Sequence, residues 1–310
     1  MTYDLAFPRA SNSAPSAGNI KTQVEDFFVE ELMHPELSGE GEHVWLWVEK
    51  SGQNTEYVAG QIAQFANVKK MDVGLSGLKD RWAKTQQWFS VYLGAKSEPD
   101  WAAFDLEHVT ILKHIRHSKK LRRGEHDANR FRIVVRELDR VDDLETGLKI
   151  IKEQGFPNYY GLQRFGFQGA NLERGERYFE GEIKASRSQR SFYLSAARSF
   201  LFNLNLAEAI KDGVWLSATV GGPLYGDPQE GVAELSDAEK QILNSYPSLA
   251  KGIHKNRLKL ERRAFSIMPD NLSWQIEGDT LVLAFDLPSG IFATSLLSEL
   301  MEFSVILGES

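Results

Sequence analysis

The sequence predicts an α+β protein in which a sheet-bearing core is interrupted by a mainly helical module. Three observations point there. Strand-like alternation of apolar and polar residues recurs through the first half of the chain. Near Gly155 the pattern changes to a glycine- and aromatic-rich loop followed by long helical periodicity, and after Phe265 strand character returns. A length of 310 residues exceeds what one compact core usually uses, which fits two domains or one domain carrying a large insertion.

Taken in order, residues up to about Gly18 are polar, carry Pro8, Pro15 and several serines, and read as an extended lead-in. His43 to Glu49 alternates Val44, Leu46 and Val48 with Trp45 and Trp47, a strand pattern. A helix starting near Asn54 places Val58, Ile62 and Phe65 on one face. Gln87 to Leu93, Val109 to Ile115 and Phe131 to Val135 read as further strands. In the last of these, Phe131, Ile133 and Val135 share one face, while Arg130, Arg132 and Arg136 lie on or near the other, giving a half-buried sheet with a basic face. The helical module contains a long helix over Ser191 to Ile210, the turn Gly221-Gly222-Pro223, a capping box at Ser236 and Glu239, and one more helical segment over 246–263. A strand at Thr280 to Phe285, the turn Pro288-Ser289-Gly290 and a closing helix from about Thr294 are expected to rejoin the first sheet. No fixed-period repeat or low-complexity tract is visible.

Composition narrows the chemistry. With no cysteine, disulfides, thiolate nucleophiles, iron–sulfur clusters and cysteine-ligated zinc are excluded together. Composition near globular averages, no leader-like N-terminus and no bilayer-length apolar run lead to the expectation of a cytoplasmic protein with no membrane partner. The phosphate loop, the dinucleotide fingerprint and the Gly-x-Ser-x-Gly elbow are all missing, which counts against nucleotide hydrolysis, hydride transfer and serine esterase chemistry. A net charge of −7 counts mildly against nucleic acid, but local distribution outranks the total. Lys113, Arg116, Lys119, Lys120, Arg122, Arg123, Arg130, Arg132 and Arg136 form a basic stripe, and a second cluster runs from Lys251 to Arg263. Such runs read either as solvated faces or as a polyanion surface. His114, His117 and His126, within the stripe, lack metal-site spacing and read as RNA-facing or surface groups.

Three short motifs could carry chemistry. Gly77-Leu78-Lys79-Asp80-Arg81 places an acid between two cations on a loop; neighbouring positive charge favours the carboxylate, the form a nucleophile needs, although a loop aspartate also serves as a turn former or cap. Asn158 to Gly166 gathers two tyrosines, a phenylalanine, an arginine and two glycines, suited either to stacking bases or to an aromatic turn. Phe292, after the tight turn at Pro288 to Gly290, fits a ligand contact or a hydrophobic staple.

At these residues the sequence resembles the TruD family of tRNA pseudouridine synthases. Gly77 to Arg81 followed by Ala83, Thr85 and Gln86 is similar to the family's active-site motif. Asp26-Phe27 with Val29 and Glu30, Asn129 with Phe131, the run from Asn158 to Gly166, Ser195-Ala196-Ala197-Arg198, and Phe292-Ala293-Thr294-Ser295 resemble further motifs in the family's order. The likeness spans nearly the whole chain. The stretch between Arg198 and Ile267 is shorter than in better-known members.

The resemblance implies a pseudouridine synthase core with a mixed or antiparallel sheet, residues 1–154 and 266–310, interrupted by a TRUD-type insertion domain, residues 155–265. It implies an isomerase that turns uridine into pseudouridine, with position 13 of tRNA the usual target, and that needs no cofactor and no metal. It makes Asp80 the nucleophile and puts Phe27, Asn129 and Phe292 against the substrate nucleotide, with Phe131 where other pseudouridine synthases often use a tyrosine. Lys21, Lys79 and Arg81 are candidates for holding Asp80 ionised. The expected partner is tRNA or another structured RNA, with no nucleotide cofactor, and the chain is expected to be monomeric. Two other readings fit the residues taken alone: a non-catalytic RNA-binding module on the same scaffold, and a plain interaction domain.

Overall fold

The computed structural model describes residues 3–11 and 15–307. The chain forms two compact units, one of Ser16–Glu145, Pro269–Gly290 and Met301–Ser310, the other of Met1–Pro15, Thr146–Met268 and Ile291–Leu300. The elements of the first stretch are β1 (Ser16–Ile20), β2 (Phe27–Leu32), β3 (His43–Ser51), α1 (Thr55–Phe65), β4 (Val73–Leu75), β5 (Lys84–Tyr92), β6 (Val109–His117) and β7 (Ala128–Arg136). Then come α2 (Leu144–Gln154), β8 (Phe156–Pro157), α3 (Ala170–Glu180), α4 (Arg187–Lys211), β9 (Gly222–Leu224), α5 (Asp237–Asn244), α6 (Pro247–Lys255), β10 (Glu261–Arg263) and β11 (Ser266–Ile267). The chain ends with β12 (Asp270–Glu277), β13 (Thr280–Pro288), α7 (Ala293–Leu300) and β14 (Met301–Val305).

The first unit is built on a 10-stranded mixed sheet with the order β12-β13-β7-β2-β5-β3-β6, to which β1, β4 and β14 attach. Strands β2 and β5 run parallel, as do β1 and β14; the other pairings are antiparallel. The α+β class and the return of the C-terminal strands to the first sheet are as the sequence predicts. Period-two alternation explains β7, where Asn129, Phe131, Ile133 and Val135 are buried and Arg130 and Arg132 exposed. Strand β3 is covered on both faces: Val44, Leu46 and Val48 join Val58, Ile62, Phe89 and Val91 in one cluster, and Trp45 joins Trp88 and Leu121 in another. Each fully buried side chain of this kind contributes about 1.5–3 kcal/mol. Helix α1 starts where expected, with the Asn54 side chain accepting the backbone N–H groups of Glu56 and Tyr57.

The second unit centres on α4, which begins with a Ser186/Gln189 capping box and buries Tyr193, Ala197, Phe200 and Leu201 among Phe165, Leu172, Phe179 and Ile253. Among the described residues no helix is long and apolar enough to cross a membrane.

Four local expectations need correction. The lead-in is structured at both ends: Tyr3, Leu5 and Phe7 pack into the helical unit's core, and Ser16–Ile20 is β1. Tyr3, Leu5 and Phe7 sit at every second position, an alternation that the polar composition of the segment as a whole obscured. The helix over 246–263 stops at Lys255; Arg257 turns left-handed at φ 50°, and Glu261–Arg263 pairs with β9, so tertiary pairing overrides helix propensity. The closing helix ends at Leu300, and the next five residues form β14 on β1. Helices α2 and α3 fall where no element was expected.

Candidate active site

Asp80 lies on the loop between β4 and β5, and that loop is held from its backbone. Thr55, at the first turn of α1, accepts the Lys79 N–H through Oγ1 at 3.1 Å and faces the Lys79 carbonyl at 3.2 Å. Gln87 Nε2 donates to the Gly77 carbonyl at 3.0 Å, and Lys50 Nζ donates to the Asp80 carbonyl at 2.9 Å. The Asp80 carboxylate accepts the Trp82 N–H at 2.9 Å on Oδ1 and ion-pairs with Lys21 through Oδ2. The carboxylate side chain is 30 % exposed while that of Lys21 is 5 % exposed, so the acid is the solvent-reachable end of a sunken ion pair. Lys21 follows β1 in a left-handed conformation, φ 52°, and its carbonyl accepts the Leu307 N–H at 3.0 Å. That backbone is unfavourable for a residue with a Cβ and is sustained by its surroundings.

A row of aromatic rings adjoins the pair. The Lys21 ammonium lies 4.7 Å from the Phe27 ring centroid, a cation–π contact. Phe27 meets Phe131 edge-on at 6.3 Å, and Phe131 stacks on Phe285 at 5.4 Å. Strand register produces this, since Val29 pairs with Phe131 and Phe131 with Phe285 across β2, β7 and β13.

The same register sets Glu31 opposite Asn129. Between them comes Lys79, whose Nζ ion-pairs with Glu31 Oε2 at 3.1 Å and donates to Asn129 Oδ1 at 2.5 Å. Glu31 Oε1 accepts the Trp88 N–H at 3.2 Å. Burial raises the Glu31 pKa and lowers that of Lys79, in each case opposed by their mutual attraction. His126 completes the chain: Nδ1 bonds Ser76 Oγ at 2.5 Å, and Nε2 meets Ser289 Oγ at 3.0 Å and Asn129 Nδ2 at 3.3 Å. Burial, aided by the Lys79 charge and opposed by Asp127, pushes the His126 imidazole down to about 4. Lys50, fully buried, is pushed down to about 8 by burial, with the Asp80 charge opposing and Lys79 adding to the effect.

Asp80, Lys21, Phe27, Lys79, Asn129 and Phe131 are thus linked by contacts within one unit. Of the three cations expected around Asp80, Lys21 alone ion-pairs with it among the described residues; Lys79 is turned to Glu31 and Asn129, and the Arg81 guanidinium covers the Trp82 ring at 4.8 Å. Phe292 belongs to the other unit, where it lies 6.0 Å from the Tyr160 ring and 5.5 Å from the Arg164 guanidinium. There Asn203 both accepts the Tyr160 N–H and donates to the Tyr160 carbonyl, at 2.9 Å each, which fixes the loop over 158–166. Part of the basic stripe is neutralised: Arg116 pairs with Glu98, Arg130 with Asp286 and Glu30, and Arg136 with Asp26. Lys113, Lys119, Arg122, Arg123 and Arg132 are exposed. His126, expected as an RNA-facing or surface group, is buried.

Sequence reasoning missed Glu31, Lys50 and Ser76, and named His126 without placing it beside Asn129. Two of them were signalled. Period two places Glu31 on the buried face with Phe27 and Val29, and Lys50 on the face of Val44, Leu46 and Val48, and an ionisable group in an apolar row marks a constrained site.

Comparison with known proteins identifies the family. Residues 8–187 match the family described as tRNA pseudouridine synthase D (TruD). The tRNA pseudouridine synthase D of Cellvibrio japonicus is 41% identical over 318 residues, covering 97% of this chain and 94% of the relative. That of Hydrogenovibrio crunogenus is 38% identical, covering 97% and 96%. A crystal structure from Methanosarcina mazei, of a protein proposed to be a tRNA pseudouridine synthase D, superposes with a TM-score of 0.71 at 18% identity over 95% of each chain, which is a likeness of fold. On the family match and the near full-length identity to these relatives, the chain belongs to the TruD family, tRNA pseudouridine synthase D.

Proposed function

We propose that this chain is an isomerase that converts uridine to pseudouridine in tRNA, with Asp80 as its nucleophile. The observation that carries the assignment of Asp80 is its partly exposed carboxylate, ion-paired with the sunken Lys21 beside the Phe27 and Phe131 rings. The reaction breaks the N1–C1′ bond, turns the uracil and forms the C5–C1′ bond; C5 gives up its proton and N1 gains one, so the atoms balance without a redox partner. A carboxylate suffices to start it, by attack at C1′, by addition at C6, or by promoting a glycal intermediate. The target base must leave its stack to reach Asp80. Phe27 and Phe131 then offer ring faces and Asn129 a polar edge, while Phe292 is held by Tyr160 and Arg164 within the helical unit. Lys21 anchors the carboxylate, Lys79 anchors Asn129, and Arg81, exposed on Trp82, is available to RNA phosphate.

The same reading takes residues 155–265 as an insertion domain within a catalytic core, position 13 of tRNA as the target, the cytoplasm as the location and a monomer as the working form. The test is a pseudouridine map of cellular tRNA from cells with and without the protein, restored by wild type or by Asp80→Asn. One site lost in its absence and restored by wild type alone is the expected result. No change at any site overturns the enzyme assignment, and full rescue by Asp80→Asn removes Asp80 from the nucleophile's role.

A further inference from the structure

Asn129 carries both a donor and an acceptor, and its heavy-atom positions alone do not say which end faces which neighbour. The surroundings do. One end of the amide faces the Lys79 ammonium, which can only donate, so that end is the carbonyl oxygen. The other end faces His126 Nε2. The imidazole is buried, close to the Lys79 charge, and bonded at Nδ1 to Ser76, whose oxygen also accepts the His126 backbone N–H at 2.9 Å. With the amide oxygen on Lys79, the NH2 faces Nε2, which must then accept, so the ring proton sits on Nδ1 and is donated to Ser76 Oγ. Lys79 therefore selects the orientation, and the imidazole tautomer follows from it. Lys79 is in turn held by Glu31, whose carboxylate is fixed by the Trp88 N–H.

We propose that Glu31 and His126 are positioning residues that hold Asn129 as a hydrogen-bond donor toward the target base, so that this edge of the site selects a carbonyl oxygen. The proposal rests on the reading of the chain as a pseudouridine synthase with Asn129 at the base. It has a chemical consequence. During isomerisation the uracil turns about its N3–C6 axis, which exchanges O2 and O4 while N3 and C6 keep their places. A donor at this edge meets a carbonyl oxygen in both the substrate and the product orientation. Cytosine carries an amino group at one of the two positions and leaves the donor opposed there.

The test uses the full-length protein and tRNA transcripts carrying uridine, cytidine or an abasic site at the mapped target position. Binding is measured for wild type, Glu31→Gln and His126→Leu, with melting curves as a check on folding. With the donor on O4 of the bound uridine, the position where cytosine carries its amino group, one neutral hydrogen bond predicts that wild type prefers the uridine transcript over the cytidine one by about tenfold. Both variants should bind the abasic transcript as wild type does, but prefer uridine over cytidine by no more than about twofold. Loss of packing alone would not move that ratio at constant abasic affinity. Glu31→Gln keeps the side chain's shape and its Trp88 bond, so it decides the matter even where His126→Leu does not fold. A wild-type preference retained in Glu31→Gln and in every folded variant overturns the positioning role. A wild type that forms no pseudouridine in the uridine transcript overturns instead the functional reading beneath it.

Discussion

His126 gives the protein a titration that stability measurements can read. The residue is 8% exposed, and burial beside Lys79 lowers its pKa from 6.5 to about 4. The unfolded chain takes up this proton near pH 6.5, whereas the folded chain waits until about pH 4. Between those values the unfolded state binds more protons, so stability falls as pH falls. At about 1.4 kcal/mol per pH unit, lowering the pH from 7 to 5 costs the folded state about 2 kcal/mol through this residue. Glu299 runs the other way. Its carboxylate, accepting the N–H groups of Ala10 at 3.0 Å and Ser11 at 3.3 Å, is pushed up to about 7, chiefly by burial. The folded state binds that proton first, so its stability rises as pH falls through the same window, by about 2 kcal/mol. The two effects offset each other in wild type, and single variants separate them. Urea midpoints at pH 7, 6 and 5 should show His126→Gln gaining about 2 kcal/mol relative to wild type on acidification, and Glu299→Gln losing about as much. A wild-type-to-His126→Gln difference that stays constant across the window would refute the buried, neutral state of the ring.

Replacing Lys119, Lys120, Arg122 and Arg123 together by Ala should weaken tRNA binding and flatten its dependence on salt, by about 0.7–0.9 in log–log slope for each RNA phosphate left without its cation; an unchanged slope places the RNA surface elsewhere. Gly252→Ala sets a new Cβ 2.3 Å from the Phe179 ring, and the forced shift should cost about 1–3 kcal/mol by thermal or urea unfolding. Tyr225 is fully buried, donates to the Glu239 carbonyl at 2.7 Å and accepts from Asn205 Nδ2 at 2.8 Å. Tyr225→Phe removes one partner from each, leaving Asn205 Nδ2 its bond to the Leu201 carbonyl at 2.7 Å, and should destabilise by about 1–3 kcal/mol; a neutral change would mean that both find other partners.

Elements whose burial follows the local period were legible before folding. Strand β7 announced its inward face through Phe131, Ile133 and Val135, helix α1 through Asn54 and the Val58/Ile62 spacing, and α5 through the Ser236/Glu239 box. The segments that misled were those whose state is chosen by a distant partner. Glu261–Arg263 is a strand because Gly222–Leu224 lies beside it, and Met301–Val305 because Ser16–Ile20 does. The site divides in the same way. Asp80, Asn129 and Phe27 stood out by motif, but Lys79 beside Asp80 in sequence turns away to Glu31, a partner 48 positions earlier that strand register delivers.

The sequence by itself determined the α+β class, the change of style near Gly155 and the chemistry available to a chain without cysteine, because composition and period are local properties that each segment carries alone. Only the tertiary structure decided which charges meet. Lys21, Lys50 and Lys79 are alike as residues, yet one pairs with the Asp80 carboxylate, one holds its carbonyl and one is turned to Glu31 and Asn129. The reason is electrostatic and geometric: a buried ammonium is stable only where a partner is already in place, and that place is set by the pairing of strands far apart in the chain.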